Sequence, residues 1–345
     1  MKRKDFKKQQ KTSRNRLTIK ILLFVTLSAF LVVAAYAIAL QQKAAGAAER
    51  AYEAVSNRTK SDMRETKVEP AKDNVSILFI GVDDSENRHQ GDSNSRSDAL
   101  LFATLNPKSK SVKLVSIPRD SYVYIPEIGK RDKINHAHAR GGTRATIETV
   151  EELFEVPVDY YVKMNFNAFI DVVDALGGVE VEVPYRRLEK DENDENTIQL
   201  EPGLQRLDGR HTLALARTRK ADSDVERGKR QQMILQAIMK EAVSAKSITK
   251  YGDVIDAVGD NMKTDMTFKE MMSFIEYVKG GMPKVDPITL VGEDDMSTGT
   301  YYWKLDEVEL EEVKQLLQAH IGLIPDSSNL TNSSSNFNRA ATADE

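Results

Sequence analysis

The stretch Val75-Ser-Ile-Leu-Phe-Ile-Gly-Val82 is the part of the sequence that decides the fold. Apolar residues occupy both alternating sets of positions, which is typical of a strand buried on two faces. Leu100–Leu105 and Val112–Ile117 are similarly apolar and rich in β-favouring residues, and they predict two more strands. The short connection Asn106-Pro107-Lys108-Ser109 suits a hairpin, so these two strands should be antiparallel.

Helical patterns follow these strands along the chain. Thr143–Phe154 and Asn167–Leu176 predict helices, and Gly177-Gly178 ends the second one before a strand at Val179–Val183. The alternation of strands and helices indicates an α/β fold, and the predicted hairpin makes its central β-sheet a mixed one.

The second half of the chain continues this pattern after a polar insertion at Glu189–Asn196. Thr212–Arg219 alternates apolar and polar residues and is predicted to be a strand. Asp224–Ala245 carries apolar residues along one side and predicts a helix.

An apolar segment near the N-terminus predicts a membrane anchor. Ile21–Leu40 contains no charged residue, and at about 1.5 Å per residue it reaches roughly 30 Å, enough to cross a bilayer. A cleaved secretion signal is the alternative, but Gln41-Gln42-Lys43 follows without a small-residue cleavage pattern. The basic residues precede the segment, so the N-terminus should lie in the cytoplasm and the remainder outside it, as a single-pass type II cell-membrane protein.

The rest of the chain divides around this anchor. Residues 1–20 form a basic cytoplasmic tail, 21–40 the anchor, 41–74 a helical stalk, 75–324 one domain and 325–345 a polar tail that should be disordered. The chain has no cysteine, which excludes disulfides and thiol chemistry. The formal net charge of −4 gives no reason to expect nucleic-acid binding.

Charged side chains gather where the predicted strands begin or end. Asp83 follows the first strand, and Arg119 and Asp120 follow the third. Ligands of α/β sheets bind beyond the carboxyl ends of strands, so these side chains should share one crevice. Arg96 and Asp98 lie at the start of the second strand and join this crevice if that strand runs antiparallel to its neighbours.

Two further groups point into the predicted core. Arg217 and Arg219 end the apolar face of the predicted strand Thr212–Arg219, and Arg227 and Gln231 begin the apolar stripe of the following helix. Inward arginines need anionic partners, because an unpaired buried charge costs several kcal/mol. A phosphate-rich ligand would satisfy them.

Simpler interpretations remain open for these residues. The arginines could pair with nearby carboxylates such as Asp222, Asp224 and Glu226 in a purely structural network. Asp83 and Asp98 among arginines suggest Mg²⁺, which is commonly bound through one or two carboxylates and substrate phosphate oxygens. The pair His136-Ala-His138 has no nearby third ligand, so loop hydrogen bonds are a better interpretation than a transition-metal site.

Seven ordered motifs resemble the LytR-CpsA-Psr family of Gram-positive bacteria. They are Gly81-Val-Asp83, Arg96-Ser-Asp98, Ser116-Ile-Pro-Arg-Asp120, Lys133-Ile-Asn-His136, Asp174-Ala-Leu-Gly-Gly-Val179, Leu207-Asp-Gly-Arg-His-Thr-Leu-Ala-Leu-Ala-Arg217-Thr-Arg219 and Glu226-Arg-Gly-Lys-Arg-Gln231. The resemblance spans about residues 75–324. It implies an αβα domain that transfers a glycopolymer, typically wall teichoic acid or capsular polysaccharide, from a polyprenyl pyrophosphate carrier to peptidoglycan.

The resemblance also implies roles for individual residues. Asp83 and Asp98 would hold Mg²⁺ on the pyrophosphate and act in catalysis together with Arg119 and Arg219. The substrate-binding side chains would be Arg96, Arg119, Lys133, Arg217, Arg219, Arg227 and Gln231. The polyprenyl tail would occupy an apolar tunnel between sheet and helices, and Asp98 and Asp224 are both candidates for the base.

Two departures from the family pattern limit this transfer of roles. The loop from Asp83 to Arg96 is somewhat long, and Ser223-Asp224-Val225-Glu226-Arg227 replaces the Gly-Asp-Phe-Gly-Arg that the family often has. The role of Asp224 is therefore the least supported.

Three rival functions are weighed against transfer. Hydrolysis of the same pyrophosphate would need the same site and differs only in its product. A membrane-bound transcription regulator is disfavoured because residues 1–20 are too short and polar to form a DNA-reading module. A non-catalytic lipid or glycan binder would be indicated if Asp98→Ala and Arg119→Ala left activity intact.

Overall fold

The structure is a computed structural model that describes residues 34–325 apart from 57, 83–94, 193–194, 219–223, 245–250, 275–276 and 278–281. Its strands are β1 (Val75–Val82), β2 (Ser97–Asn106), β3 (Ser111–Ser116), β4 (Tyr122–Ile125), β5 (Lys130–Lys133), β6 (Tyr160–Met164), β7 (Val179–Val183), β8 (Arg187–Lys190), β9 (Asn196–Leu200), β10 (Gly203–Leu207), β11 (Met262–Thr264), β12 (Lys284–Thr289), β13 (Gly292–Asp295) and β14 (Tyr302–Leu305). Its helices are α1 (34–51), α2 (Asn135–Phe154), α3 (Phe166–Leu176), α4 (Gly209–Arg217), α5 (Asp224–Ala242), α6 (Tyr251–Asn261), α7 (Phe268–Ser273) and α8 (Glu307–Ile321).

A mixed six-stranded sheet forms the centre, in the order β11-β6-β1-β2-β3-β12. Strand β2 is antiparallel to both β1 and β3, whereas β1 pairs with β6 and β3 with β12 in parallel. The predicted hairpin and the predicted direction of β2 are both confirmed. Asp98 at the start of β2 consequently lies near the ends of β1 and β3.

Alternate residues of β1 and β2 face opposite layers. Leu78, Ile80, Leu100 and Phe102 belong to a buried cluster that packs against helices α2 and α8. Leu101 on the other face belongs to a second cluster with residues of β3, and Leu235 of helix α5 packs against it. Helices therefore cover both faces of the sheet, which confirms the predicted αβα arrangement.

The prediction of a strand over Thr212–Arg219 is wrong, because Thr212–Arg217 lies in helix α4. Arg219 lies outside the described residues. Asp208 caps the helix by accepting a hydrogen bond from the His211 backbone N–H at 2.9 Å. Leu and Ala are strong helix formers, and an Asp cap outweighs the short apolar alternation that suggested a strand.

The segment predicted as a stalk packs onto the domain. Ala47, Ala48 and Ala51 of helix α1 are buried, and a Cβ on Gly259 of helix α6 would collide with Ala47. Beyond the helix, Arg64 binds Asp159 at 2.7 Å. The small residues allow the two helix backbones to approach closely, so residues 41–74 do not stand apart from the domain.

The predicted anchor Ile21–Leu40 falls mostly outside the described residues. Among the residues that the structure describes, no helix combines the length and the apolar character needed to cross a bilayer.

Candidate active site

A cavity of about 610 Å³ lies between the sheet and helices α3, α4 and α5. Its apolar wall comes from both layers, since β1 and β2 contribute side chains as well as the three helices. The apolar lining side chains include Phe79, Leu101, Phe166, Phe169, Val172, Leu213, Ile234, Leu235 and Ile238. A volume of this size within an apolar wall suits an extended hydrocarbon chain, as the family resemblance implied.

Charged and polar side chains line the same cavity. Of the nine predicted site residues, six contribute to its wall, and they are Arg96, Asp98, Arg119, Arg217, Arg227 and Gln231. Asp83 and Arg219 lie outside the described residues, as does the side chain of Asp224. The structure therefore brings four of the five predicted arginines to a single apolar cavity.

Arg119 joins two carboxylates at this cavity. Its Nη1 donates to Asp98 Oδ1 at 2.6 Å, and its Nε donates to Asp120 Oδ2 at 3.3 Å. The other oxygen of Asp120 accepts a hydrogen bond from Lys133 Nζ at 2.8 Å. Lys133 does not line the cavity but lies behind Arg119, where it can hold Asp120 in place.

The turn after β3 sets this geometry. Ser121 N–H donates to the Pro118 carbonyl at 3.0 Å, which closes a tight turn around Arg119 and Asp120. Pro118 has a fixed φ and favours such a turn. The turn directs Arg119 towards β2, while Asp120 is buried beneath it with only 6% of its surface exposed.

Arg217 ends helix α4 and is held on two sides. Its Nη1 donates to the Asp191 carbonyl at 2.8 Å, and its guanidinium lies 4.3 Å from the centroid of the Phe166 ring. Because one face of the guanidinium stacks on the ring, an anion would bind at the edge of the guanidinium, where its N–H groups point. Leu213, one helical turn earlier, lines the same cavity.

The first turns of helix α5 supply Arg227 and Gln231. Arg227 is buried, with 4% exposed, and Gln231 Nε2 donates to the Ala216 carbonyl at 3.3 Å. A Cβ on the intervening Gly228 would collide with the Ser116 side chain of β3. The glycine allows the helix to lie close to the sheet, and this close approach brings Arg227 into the cavity wall.

Arg230 has a structural role in this helix. Its Nε and Nη2 donate to the carbonyls of Leu215 and Thr218 at 3.2 and 2.6 Å. These bonds satisfy carbonyls at the end of helix α4 and fix its position relative to helix α5.

The hairpin of β8 and β9 was missed as part of the site. Arg187, Glu189, Lys190 and Asn196 all line the cavity, and the last three belong to the predicted polar insertion Glu189–Asn196. Its polar composition gave no signal of a functional wall, because an exposed hairpin and a hairpin that faces a polar ligand have the same composition.

The two histidines predicted to make hydrogen bonds in a loop lie instead in the first turn of helix α2, and they have separate partners. His138 Nδ1 lies 2.7 Å from the Ser95 carbonyl oxygen, and His136 Nδ1 lies 2.9 Å from Asp132 Oδ2. Burial acts to raise the pKa of Asp132, but the hydrogen bonds from His136 and from the Lys133 backbone lower this pKa below its ordinary value.

The donor set fits a hard cation bound partly through substrate. Among the described residues, no three potential metal-ligating side chains cluster together. Asp98 offers a carboxylate at the cavity, beside the arginines. A Mg²⁺ ion needs only one or two such carboxylates when phosphate oxygens and water complete its coordination.

Comparison with known proteins assigns the chain to a family. The model described as the LytR_cpsA_psr family matches residues 38–319. The chain belongs to this family, and the resemblance inferred from the motifs is confirmed.

Several relatives carry functional names. The polyisoprenyl-teichoic acid–peptidoglycan teichoic acid transferase TagT of Bacillus subtilis (strain 168) is 38% identical over 321 residues, which cover 91% of this chain and 98% of TagT. The TagU transferase of Halalkalibacterium halodurans is 37% identical over 292 residues, covering 84% and 93% of the two chains. A solved structure of TagT with bound octaprenyl pyrophosphate lipid superposes with a TM-score of 0.64 at 35% identity, covering 78% of this chain and 99% of that one.

Proposed function

We propose that this protein is a phosphotransferase that moves an anionic glycopolymer, wall teichoic acid or a similar polymer, from a polyprenyl pyrophosphate carrier to peptidoglycan. The observation that carries the proposal is the apolar cavity of about 610 Å³ with Arg96, Arg119, Arg217 and Arg227 in its wall. A lipid pyrophosphate has both parts of the matching chemistry, an isoprenoid chain and an anion. The related TagT, solved with octaprenyl pyrophosphate, supports the same assignment.

The reaction exchanges the phosphoanhydride bond of the pyrophosphate for a phosphate ester bond. An acceptor hydroxyl of peptidoglycan attacks the phosphorus next to the glycopolymer, and the bond to the bridging oxygen breaks. Polyprenyl phosphate leaves, and the glycopolymer becomes linked through a phosphodiester. Asp98 and Asp224 remain the two candidate bases for the hydroxyl proton.

The arginines act by position and charge. Phosphoryl transfer needs little covalent chemistry from the protein, and it depends on orienting the reactants and stabilising negative charge. Arg119 is held by Asp98 and Asp120 before substrate arrives, and Arg217 is held against Phe166. Such preorganised cations can bind the pyrophosphate without having to be ordered first.

Magnesium is the cofactor that this chemistry favours. Asp98, together with Asp83, would hold the ion against the pyrophosphate oxygens, and the ion would supply additional positive charge for the leaving group. Chelation should then abolish turnover, and Asp98→Asn should raise the Mg²⁺ concentration needed for half-maximal activity by at least tenfold. An unchanged Mg²⁺ dependence in that variant would remove Asp98 from the metal site.

The donor also explains the expected anchor. A polyprenyl carrier keeps its tail in the bilayer, so we propose that Ile21–Leu40 spans the cell membrane once and holds the domain outside the cytoplasm. Because residues 41–74 pack on the domain, the anchor would meet it near helix α1 without a long flexible linker. Single cysteines introduced before residue 21 or after residue 40 would test this topology with a thiol reagent that cannot cross the membrane. Only the cysteine after residue 40 should be labelled, and equal labelling of both would contradict the proposal.

Product analysis tests transfer against hydrolysis. The full-length protein in detergent would receive Mg²⁺, a lipid pyrophosphate glycopolymer and a peptidoglycan oligomer. Transfer must yield an oligomer that carries the polymer through a phosphodiester, together with polyprenyl phosphate. Formation of only free phosphorylated glycan would identify the protein as a hydrolase.

A further inference from the structure

A group of tyrosines lies outside the cavity, next to Lys133. Strands β4 and β5 form a hairpin in which Val123 and Ile125 are buried, so Tyr122 and Tyr124 project from the opposite face. Tyr302 of β14 joins this face, with its ring centroid 4.7 Å from that of Tyr122 and the rings tilted by 56°. Tyr301 precedes it in the chain. We call Tyr122, Tyr124, Tyr301 and Tyr302 the tyrosine platform.

The platform is accessible, and its polar atoms are held at its margin. Tyr124 is 41% exposed, and the other three tyrosines are half-buried. The Tyr301 hydroxyl donates to Asp294 Oδ1 at 2.9 Å, and the Tyr302 hydroxyl hydrogen-bonds with Asp132. These bonds fix the rings in place and leave ring surface available for contact.

Lys133 connects the platform to the reacting centre. Its Nζ lies 5.5 Å from the centroid of the Tyr301 ring and 5.8 Å from that of Tyr302. The same Nζ donates to Asp120, which also binds Arg119 at the cavity. Only two side chains, Lys133 and Asp120, therefore separate a polymer on the tyrosines from Arg119, which contacts the pyrophosphate in the proposed function.

The chemistry of this surface selects among the polymers that meet here. Sugar rings present flat C–H faces that pack on aromatic rings, and tyrosine combines such a face with a polar tip. The positive charge of Lys133 is balanced by Asp120, and Asp132 and Asp294 add negative charge at the margin. The exposed Arg131 lies opposite Tyr124 in the hairpin, so the platform carries charges of both signs. Its aromatic rings therefore favour the sugar rings of a glycan strand over a phosphate-rich polymer.

We propose that the tyrosine platform binds the glycan strand of the peptidoglycan acceptor and directs one of its hydroxyls towards Arg119. This inference rests on the proposed transferase function and adds the place where the second substrate binds. None of the four tyrosines lines the cavity, so the donor and the acceptor occupy separate sites that Arg119, Asp120 and Lys133 connect. Separate sites of this kind suit a transfer reaction, because the acceptor can bind while the donor occupies the cavity.

The binding test uses a reporter that the chain already contains. Trp303 is the one tryptophan in the sequence. It follows Tyr302 in β14, and its backbone N–H donates to the Asp120 carbonyl at 2.9 Å. A lipid-free peptidoglycan tetrasaccharide, titrated into the full-length protein in detergent, should change its fluorescence saturably. This measurement needs no turnover.

Three substitutions test whether the tyrosine rings bind sugar or serve only to stabilise the fold. Tyr122→Leu and Tyr302→Leu remove a ring and should each weaken tetrasaccharide binding about tenfold, equivalent to about 1.4 kcal/mol. Tyr302→Phe keeps the ring and should stay within about threefold of the original affinity, which is less than 1 kcal/mol. Tyr52→Leu is the matched control, since Tyr52 is also exposed, at 47%, but lies beside β11 at an edge of the central sheet and not in the platform.

The kinetic test distinguishes acceptor from donor. In the transfer assay, Tyr122→Leu and Tyr302→Leu should raise the KM for the acceptor about tenfold and leave the KM for the lipid donor unchanged. A raised donor KM with an unchanged acceptor KM would assign the platform to the donor glycan and overturn the inference. Unchanged tetrasaccharide binding in folded Tyr122→Leu and Tyr302→Leu would also overturn it.

Failure of this inference can be told apart from failure of the proposed function. If the protein binds the tetrasaccharide through the tyrosines but only hydrolyses the donor, the transferase assignment fails and the platform stands. If transfer proceeds normally in both leucine variants, the platform fails and the transferase assignment stands.

Discussion

Replacing Arg119 with lysine should separate its charge from its geometry. The guanidinium contacts Asp98 and Asp120 at 2.6 and 3.3 Å, through two nitrogens that face different carboxylates. A lysine keeps the positive charge but is a single point donor on a flexible chain, so it cannot contact both carboxylates and a phosphate in a fixed orientation. The substitution therefore tests whether preorganisation matters beyond charge.

The expected magnitudes differ for stability and for catalysis. Arg119 and Asp98 are 22% and 21% exposed, so loss of one of the two charge-assisted bonds should cost about 1–2 kcal/mol of unfolding free energy. A preorganised group that stabilises developing charge is worth about 10²–10³ in kcat. Arg119→Lys should thus remain folded at assay temperature, melt a few degrees lower and transfer at least a hundredfold more slowly.

Arg144 provides a matched control for this prediction. It also joins two carboxylates, Glu127 at 2.6 Å and Glu148 at 2.8 Å, but it is 41% exposed and does not line the cavity. Arg144→Lys should melt within about a degree of the original protein, because exposed ion pairs contribute about 0–1 kcal/mol, and its kcat should be unchanged. Rates of polyprenyl phosphate release and melting curves measure both effects. Activity of Arg119→Lys within threefold of the original would refute the role of its geometry.

Three other predictions address the rest of the molecule. Arg64→Met should lower the free energy of unfolding, measured in urea, by about 3 kcal/mol and leave kcat unchanged, because the Asp159 side chain, 2% exposed, would lose its counter-ion. An unchanged urea midpoint would show that this ion pair contributes nothing to stability. Burial raises the pKa of Asp265 to about 6, so the folded state binds this proton more tightly than the unfolded state, and stability falls as pH rises from about 4 to 6. Asp265→Asn should therefore be more stable than the original protein by roughly 2–3 kcal/mol at pH 7.5 and equally stable at pH 4. Equal stability of the two proteins at both pH values would contradict this. Val172→Trp should raise the KM for the lipid donor about tenfold by filling the cavity, whereas Val308→Trp, at a position 71% exposed, should leave this KM unchanged. Equal donor KM values in the two variants would place the polyprenyl tail outside the cavity.

The sequence was most informative where one pattern had one structural outcome. The strand Val75–Val82 has the predicted bounds, because an apolar run with both faces buried suits only an interior strand. The antiparallel direction of β2 followed from the short Asn106–Ser109 connection, and this direction placed Asp98 at the site.

Arg217 was predicted at the site even though its secondary structure was predicted wrongly. Leu213 and Arg217 are four residues apart, and this spacing puts two side chains on one face of a strand and on one face of a helix alike. Both line the cavity from helix α4. The inward direction of Arg217 was thus independent of the error, whereas the predicted strand itself failed because the cap at Asp208 was overlooked.

Other parts of the site had no local signal. The β8–β9 hairpin reaches the cavity through its position in the fold, and polar composition alone cannot distinguish it from a surface loop. The tyrosine platform combines β4 with β14, about 180 residues apart in the chain, and local periodicity carries no information about such long-range contacts. The packing of residues 41–74 on the domain depends likewise on distant partners such as Gly259.

The central claim is that the arginine-lined cavity holds a polyprenyl carrier by its tail and its pyrophosphate. The most direct measurement is mass spectrometry of lipid that remains bound to the full-length protein after mild purification from its native membranes, compared with Val172→Trp prepared identically. We predict about one polyprenyl phosphate or pyrophosphate per chain in the original protein and a much lower occupancy in the variant. An isoprenoid content at background level in the original protein, or equal occupancy in both, would contradict the account.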